Sequence, residues 1–236
     1  MQRKKNNMNT FTDKRDGKMY RTVKIGEQVW LAENLAYEAK GSKCYDNDES
    51  NVEKYGRLYN WNTAMKVCPK GWHLPSHEEW QTLLDFVGGK EISGKKLKTK
   101  SSWNKYKGKS GNGTDDFGFS ALPCGGGRAG SFGGVGEFGS WWSSNKFGNY
   151  NAYNWVMDYS CKIVCFHYSA EDYLFSVRCI KDHVEKQGGQ NDKKLCRAVD
   201  DTFGGLYREI EDKNKAIAKK DAELAELKRK LEKYEG

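Results

Sequence analysis

The thiols, imidazoles and carboxylates come first, because they could hold a metal or move a proton. Cys161-x3-Cys165-x-His167 has the ligand types of a zinc site. In an extended strand these three positions share a face, but a closed zinc site takes four ligands and only three are local. The run reads instead as strand cysteines that pack like small apolar side chains. Asp46, Asp48, Ser50 and Glu53 could offer oxygens to calcium, yet an EF-hand loop wants Gly at its sixth position and Glu at its twelfth, where this chain has Asn51 and Arg57. A solvated acidic loop is the expectation. His73 and His77 flank Pro75 and read as a packing and a surface residue, not an acid/base pair. No two facing carboxylates and no nucleophile with a base complete a hydrolytic set. The residues therefore call for no catalytic centre, no metal and no cofactor.

What remains is aromatic chemistry. The glycine-rich run from Phe132 to Trp155 contains Trp141, Trp142, Asn145, Tyr150, Tyr153 and Trp155. Their ring faces can stack on sugars and the amide can hydrogen-bond, which makes this run the expected ligand surface. The competing assignment puts at least one of Trp141 and Trp142 in the core.

A chain of 236 residues suits one domain with an extension. No apolar run approaches the roughly 18 residues of a membrane span, so no transmembrane segment is expected. Twenty-six Gly and three Pro, beside 8 Trp, 13 Tyr and 10 Phe, describe a loop-rich domain with an aromatic core. The net charge of +8 is concentrated: Lys90 to Lys109 holds eight Lys against Glu91, and residues 1 to 24 carry +6. This is a lysine loop and a basic tail, expected to be solvated with the loop's lysines unpaired, and not the Arg-and-aromatic stripe of a nucleic-acid face. Weak attraction to a polyanion is the remaining role for that charge. Seven cysteines lean towards an oxidising compartment. The opening MQRKKNNMNTFTDKRDG lacks the apolar stretch of a secretory signal, so an intracellular location with reduced thiols stays open.

These residues must be positioned by short elements. KMYRTVKIGEQVWLAENL reads as a hairpin turning at Gly26-Glu27-Gln28. Leu58, Trp61, Ala64 and Met65 mark one short helix with Asn60 as N-cap. Ser76 with Glu79 forms a capping box for a second, whose apolar face is Trp80, Leu83, Leu84 and Val87 and whose stop is Gly88-Gly89. CKIVCFHYS and YLFSVRCI close the domain as two strands around Ala170-Glu171-Asp172, so the fold class is α+β, with two short helices and several short antiparallel strands. Residues 183–202 form a polar linker. From Phe203 a heptad runs through Ile210, Ile217, Leu224 and Leu231 at a, with Leu206, Lys213, Lys220, Leu227 and Tyr234 at d. A coiled-coil helix over 203–236, oligomerising or tethering the chain, is expected, weakened by its d-site lysines.

DKRDGKMYRTVKIGEQVWLAENL, CYDND, YGRLYNW, CPKGWHLPSHEEW, FGFSALP, WWSS and FSVRC, in that order over residues 12–182, resemble the Fibrobacter succinogenes major paralogous domain family. The segment Trp61-x2-Ala64-x3-Cys68-x2-Gly71-x2-Leu74 followed by Glu79 is similar to the two-helix segment of the C-type-lectin fold, and SVRC to the last core strand of that fold and of its formylglycine-generating relatives. The resemblance implies a C-type-lectin-like domain whose ends meet, with Cys68 bridged to Cys179 in a disulfide closing a loop of about 110 residues. Cys44, Cys124, Cys161, Cys165 and Cys196 have no implied partner. The Glu-Pro-Asn and Trp-Asn-Asp motifs of calcium-dependent lectin sugar sites do not occur. The function expected is a non-catalytic binding or surface-display module for a polysaccharide or cell-surface ligand, outside the cell. The alternatives are a metal-dependent enzyme of the formylglycine-generating kind and a retroelement-diversified ligand-binding protein.

Overall fold

The computed structural model describes residues 9–183 and the isolated position Lys220. The chain divides into two units, Met1–His183 and Val184–Gly236. The heptad run from Phe203, Cys196 and the linker beyond His183 lie outside the described residues.

The first unit opens with β1 (Asn9–Thr12), β2 (Met19–Ile25) and β3 (Gln28–Leu31), followed by α1 (Ser50–Tyr55), β4 (Leu58–Tyr59), α2 (Trp61–Val67), β5 (Trp72–His73), α3 (His77–Val87) and α4 (Lys90–Leu97). A small hairpin, β6 (Lys105–Tyr106) and β7 (Lys109–Ser110), precedes β8 (Cys124–Arg128), β9 (Ser131–Val135), β10 (Phe138–Phe147), β11 (Asn151–Asp158), β12 (Val164–Ala170), β13 (Phe175–Ser176) and β14 (Ile180–Lys181). Among the described residues no helix is long and apolar enough to cross a membrane.

The strands form two main sheets. One has the order β1-β2-β3-β14-β5, the other β12-β11-β10-β13-β4, with the β8–β9 hairpin joined to β10. The β2–β3 turn is the expected one: Ile25 pairs with Gln28 across Gly26-Glu27, and Gly26 takes a left-handed φ of 61° that an L side chain resists. The last run corrects the expectation of two closing strands. β12 pairs with β11 alone, while the second run splits: β13 enters one sheet between β10 and β4, and β14 enters the other between β3 and β5. One short segment thereby ties the two sheets and sets β14 beside β3, near the start of this unit.

α2 and α3 start where their caps put them. Asn60 Oδ1 accepts from Thr63 N–H at 2.9 Å, and Ser76 and Glu79 exchange both bonds of the capping box, at 2.8 and 3.1 Å. Gly88 ends α3 with a φ of 112°. Two further helices correct the count of two. α1 arises in the acidic loop, where Asp48 Oδ1 accepts from Ser50 N–H at 2.9 Å. α4 lies inside the lysine run. Its Gly94 packs backbone on backbone, since a Cβ there would sit 2.6 Å from Lys162 O.

That run is also less solvated than its composition suggested. Lys90, Lys100, Lys105, Lys107 and Lys109 are exposed. Lys95 Nζ donates to Asn112 O at 2.9 Å and Lys96 Nζ to Val87 O at 2.7 Å. Lys98 is buried, donating to Asp158 O and Cys161 O at 2.8 and 2.9 Å, because the β11–β12 turn presents carbonyls that satisfy an ammonium.

Two hydrophobic clusters flank β10. Trp142 packs with Tyr59, Trp61, Trp72 and Val177 on one side, and Trp141 with Trp30, Trp80, Phe119 and Trp155 on the other. Between them sits a polar hub. Arg178, fully buried, donates to Phe119 O at 2.6 Å and through Nη2 to Asn34 Oδ1 at 2.8 Å, an oxygen that also accepts from Trp141 Nε1 at 2.8 Å. Asn34 completes the hub by donating to Tyr55 O at 2.9 Å. Burial brings the Arg178 guanidinium down to about 10, so it stays charged at neutral pH, held by carbonyl oxygens and by the Phe119 ring 4.6 Å away.

Candidate functional site

Antiparallel pairing of β11 with β12 sets Met157 opposite Val164, Trp155 opposite Phe166 and Tyr153 opposite Tyr168, all on one face of the sheet. Phe147 of β10, opposite Asn151, extends that face by one more ring. Trp141 opposite Trp155 belongs to it as well. The result is an aromatic ladder, buried at one end and open at the other.

α3 decides where burial stops. The helix and the second cluster cover Trp141, Trp155, Met157 and Val164. At its first residue His77 takes the last covered place. Its ring lies 4.8 Å from Trp155, 4.8 Å from Phe166 and 5.2 Å from Tyr153. Burial lowers the His77 pKa, which favours the neutral imidazole that aromatic neighbours accommodate. Asn145 Oδ1 accepts from His77 N–H at 2.7 Å and Pro75 O accepts from Ser144 N–H at 2.9 Å, so β10 anchors the start of the helix. Beyond His77 the rings reach solvent, with Phe147 and Tyr153 half-buried and Phe166 and Tyr168 exposed. Phe166 is 52% exposed and Tyr168 58%, while Phe147 stacks on Tyr168 at 4.1 Å and meets Tyr153 edge-on at 5.4 Å.

The expected ligand residues divide accordingly. Trp141, Trp142 and Trp155 are core and present no face to solvent, which corrects their place in the expected surface. The reason is the period of two: consecutive Trp141 and Trp142 on a central strand must point to opposite faces, and both faces of β10 are covered. Asn145 is turned to the start of α3, its Oδ1 accepting from His77 N–H. Tyr153 does belong to the open face, and Tyr150, 80% exposed, stands at the β10–β11 turn. Phe147, Phe166 and Tyr168 were missed. Their signal was in the alternation of Val164, Phe166 and Tyr168, which marks one face of a strand.

The other candidate centres do not assemble. Among the described residues no group of three or more His, Cys, Asp or Glu side chains is placed to hold a metal ion. Cys161 precedes β12, and Cys165 and His167 are exposed on the face opposite the ladder. His73 is bridged between Glu79 and Asp182 at 2.8 and 2.7 Å.

The expected Cys68–Cys179 disulfide is likewise corrected. The two side chains are near enough for Cys68 to help raise the Cys179 pKa, but no disulfide joins them and both are free thiols, as are Cys44, Cys124, Cys161 and Cys165. Proximity alone does not make the bond: an oxidant and a thiolate are needed, and burial drives the Cys179 pKa well above that of an ordinary thiol.

No curated protein and no solved structure matches the chain. The family model of the Fibrobacter succinogenes major domain matches residues 23–181, which takes in the Asn34–Arg178 hub, the whole ladder and both sheets apart from β1 and the first four residues of β2. With two thirds of its length inside that match, the chain belongs to the Fibrobacter succinogenes major domain family.

Proposed function

We propose that this protein is a non-catalytic binding module that takes a polysaccharide or a glycosylated cell-surface ligand on the open end of its β10–β12 ladder. The observation that carries the proposal is the set of rings left uncovered beyond His77, led by Phe166 and Tyr168. Contiguous exposed apolar surface bounded by polar groups is the mark of an interaction site, and flat rings with a phenol hydroxyl suit the mixed apolar and hydroxylated faces of a sugar. The scaffold is read as C-type-lectin-like, on the resemblance of the two-helix segment and of SVRC. The module acts outside the cell in this proposal, and the heptads from Phe203 tether or oligomerise it.

Affinity electrophoresis of the full chain through gels containing soluble β-glucan, xylan, mannan or chitosan derivatives tests the proposal. At least one polymer should retard the protein, and Phe166→Ala with Tyr168→Ala should weaken that retardation by tenfold or more. Equal retardation of the double variant, or none in any polymer, would overturn it.

A further inference from the structure

We propose that β12 is a pairing edge for a second copy of this chain, the two strands adding antiparallel about His167 so that two aromatic faces become one. The functional consequence rests on the binding proposal above; the pairing rests on the edge itself.

β12 is the outermost strand of its sheet and hydrogen-bonds to β11 alone. Among the described residues, the backbone from Val164 to Ser169 makes no hydrogen bond other than those to β11. α4 packs beside the first part of the edge, where Lys95 N–H donates to Lys162 O and Gly94 abuts the carbonyls of Lys162 and Ile163, and its Lys90 and Glu91 come near Cys165; Phe166 to Ser169 lie beyond it. Of the seven residues of β12 only Ala170 bonds elsewhere, through its carbonyl to Tyr173 N–H, whereas the outer strands β1 and β4 have four residues and two in all. Sheet proteins ordinarily block such an edge with Lys, Pro, an inward charge or a bulge. VCFHYSA contains no proline and no Lys, Arg, Asp or Glu.

The strand also complements itself. With His167 on a two-fold axis, Phe166 faces Tyr168 of the second copy on the ladder side, and Cys165 faces Ser169 of the second copy on the other. Aromatic pairs directly opposite each other stabilise antiparallel strands. Because the axis runs perpendicular to the sheet, both open ladders stay on one side, and side-chain faces remain free while backbone edges join.

Cysteine cross-linking of the full chain tests the register. In a Cys165→Ser background, His167→Cys places two thiols opposite each other across the axis, at the roughly 4.5–5.5 Å Cα separation of antiparallel pairs, which a disulfide can span. Mild oxidation should give a covalent dimer on a non-reducing gel, whereas Ser131→Cys on β9 in the same background should not. Independently, Ser169→Cys with Cys165 retained should give a dimer that Cys165→Ser abolishes. No dimer at 167 or 169, or equal cross-linking at 131, would overturn the pairing. Dimer without retardation in any polysaccharide gel would leave the pairing standing and remove the binding proposal; retardation without dimer would do the reverse.

Discussion

Trp155 and Tyr168 belong to the same ladder, on the same face and on neighbouring strands, yet Trp155 is 1% exposed and Tyr168 58%. Nothing in the side chains themselves explains the difference. The covered end has a roof, α3, whose Trp80, Leu83, Leu84 and Val87 complete the cluster around Trp155. The open end begins where that helix begins. An aromatic side chain on a strand is therefore core or surface according to how far an adjacent helix extends, and here Ser76 sets that limit by capping the helix one residue before His77.

The comparison breaks most sharply by truncation. Trp155→Ala should cost about 3–5 kcal/mol in urea unfolding, the range for deleting a buried aromatic ring, whereas Tyr168→Ala should stay within about 1 kcal/mol. Comparable losses would mean that the open end is covered in solution. Next, Asn34→Ala should cost about 3 kcal/mol, because it strips a buried guanidinium and the Trp141 indole of their shared acceptor. A loss below about 1 kcal/mol would show that the hub does not hold the covered end.

Two pH effects sharpen the contrast further. Lys98 fastens the β11–β12 turn at the covered end, and burial brings its pKa down to about 8 from 10.5. The folded chain then releases this proton earlier than the unfolded chain, so its contribution makes stability rise with pH between about 8 and 10. The rise should be on the order of 2 kcal/mol and absent from Lys98→Met, as followed by urea midpoints of the two proteins across that window.

His73 acts at the start of the roof with the opposite sign. Its hydrogen bond to Glu79 raises its pKa to about 9, aided by Asp182 and opposed by burial. Stability from the charged imidazole is complete below pH 6.5 and is lost as pH rises through 9. With the ring 40% exposed, about 1 kcal/mol is at stake after solvent screening. His73→Gln should flatten that decline, and an unchanged profile would show that the bridge does not steady α3. The smallest expected change is that of Tyr150→Ala, within about 0.5 kcal/mol, since its ring stands 80% exposed at a turn.

Legibility followed locality. The β2–β3 hairpin, the Asn60 cap and the capping box of α3 were readable because each is written within four residues. α4 was not, because KEISGKKL has a weak helical stripe and an internal glycine whose purpose is contact with Lys162 O, a residue far along the chain. The three lysines bound to carbonyls escaped for the same reason: Asn112, Val87 and the β11–β12 turn are brought to them by the fold. Of the aromatic run, the sequence named Tyr153, which lies on the open face, but Trp141, Trp142 and Trp155 looked equally available.

By itself, then, the sequence determined the family, the α+β class, the caps that start the helices and the alternation that puts Phe166 and Tyr168 on one face of a strand. These depend on periodicity and on contacts within a few residues. Only the tertiary structure decided which end of the ladder is roofed, that β12 is left at an edge, that Lys98 and Arg178 are buried on carbonyl oxygens, and that Cys68 and Cys179 meet as thiols. Each of those outcomes depends on groups far apart in the chain, and a side chain's burial is a property of what is packed against it.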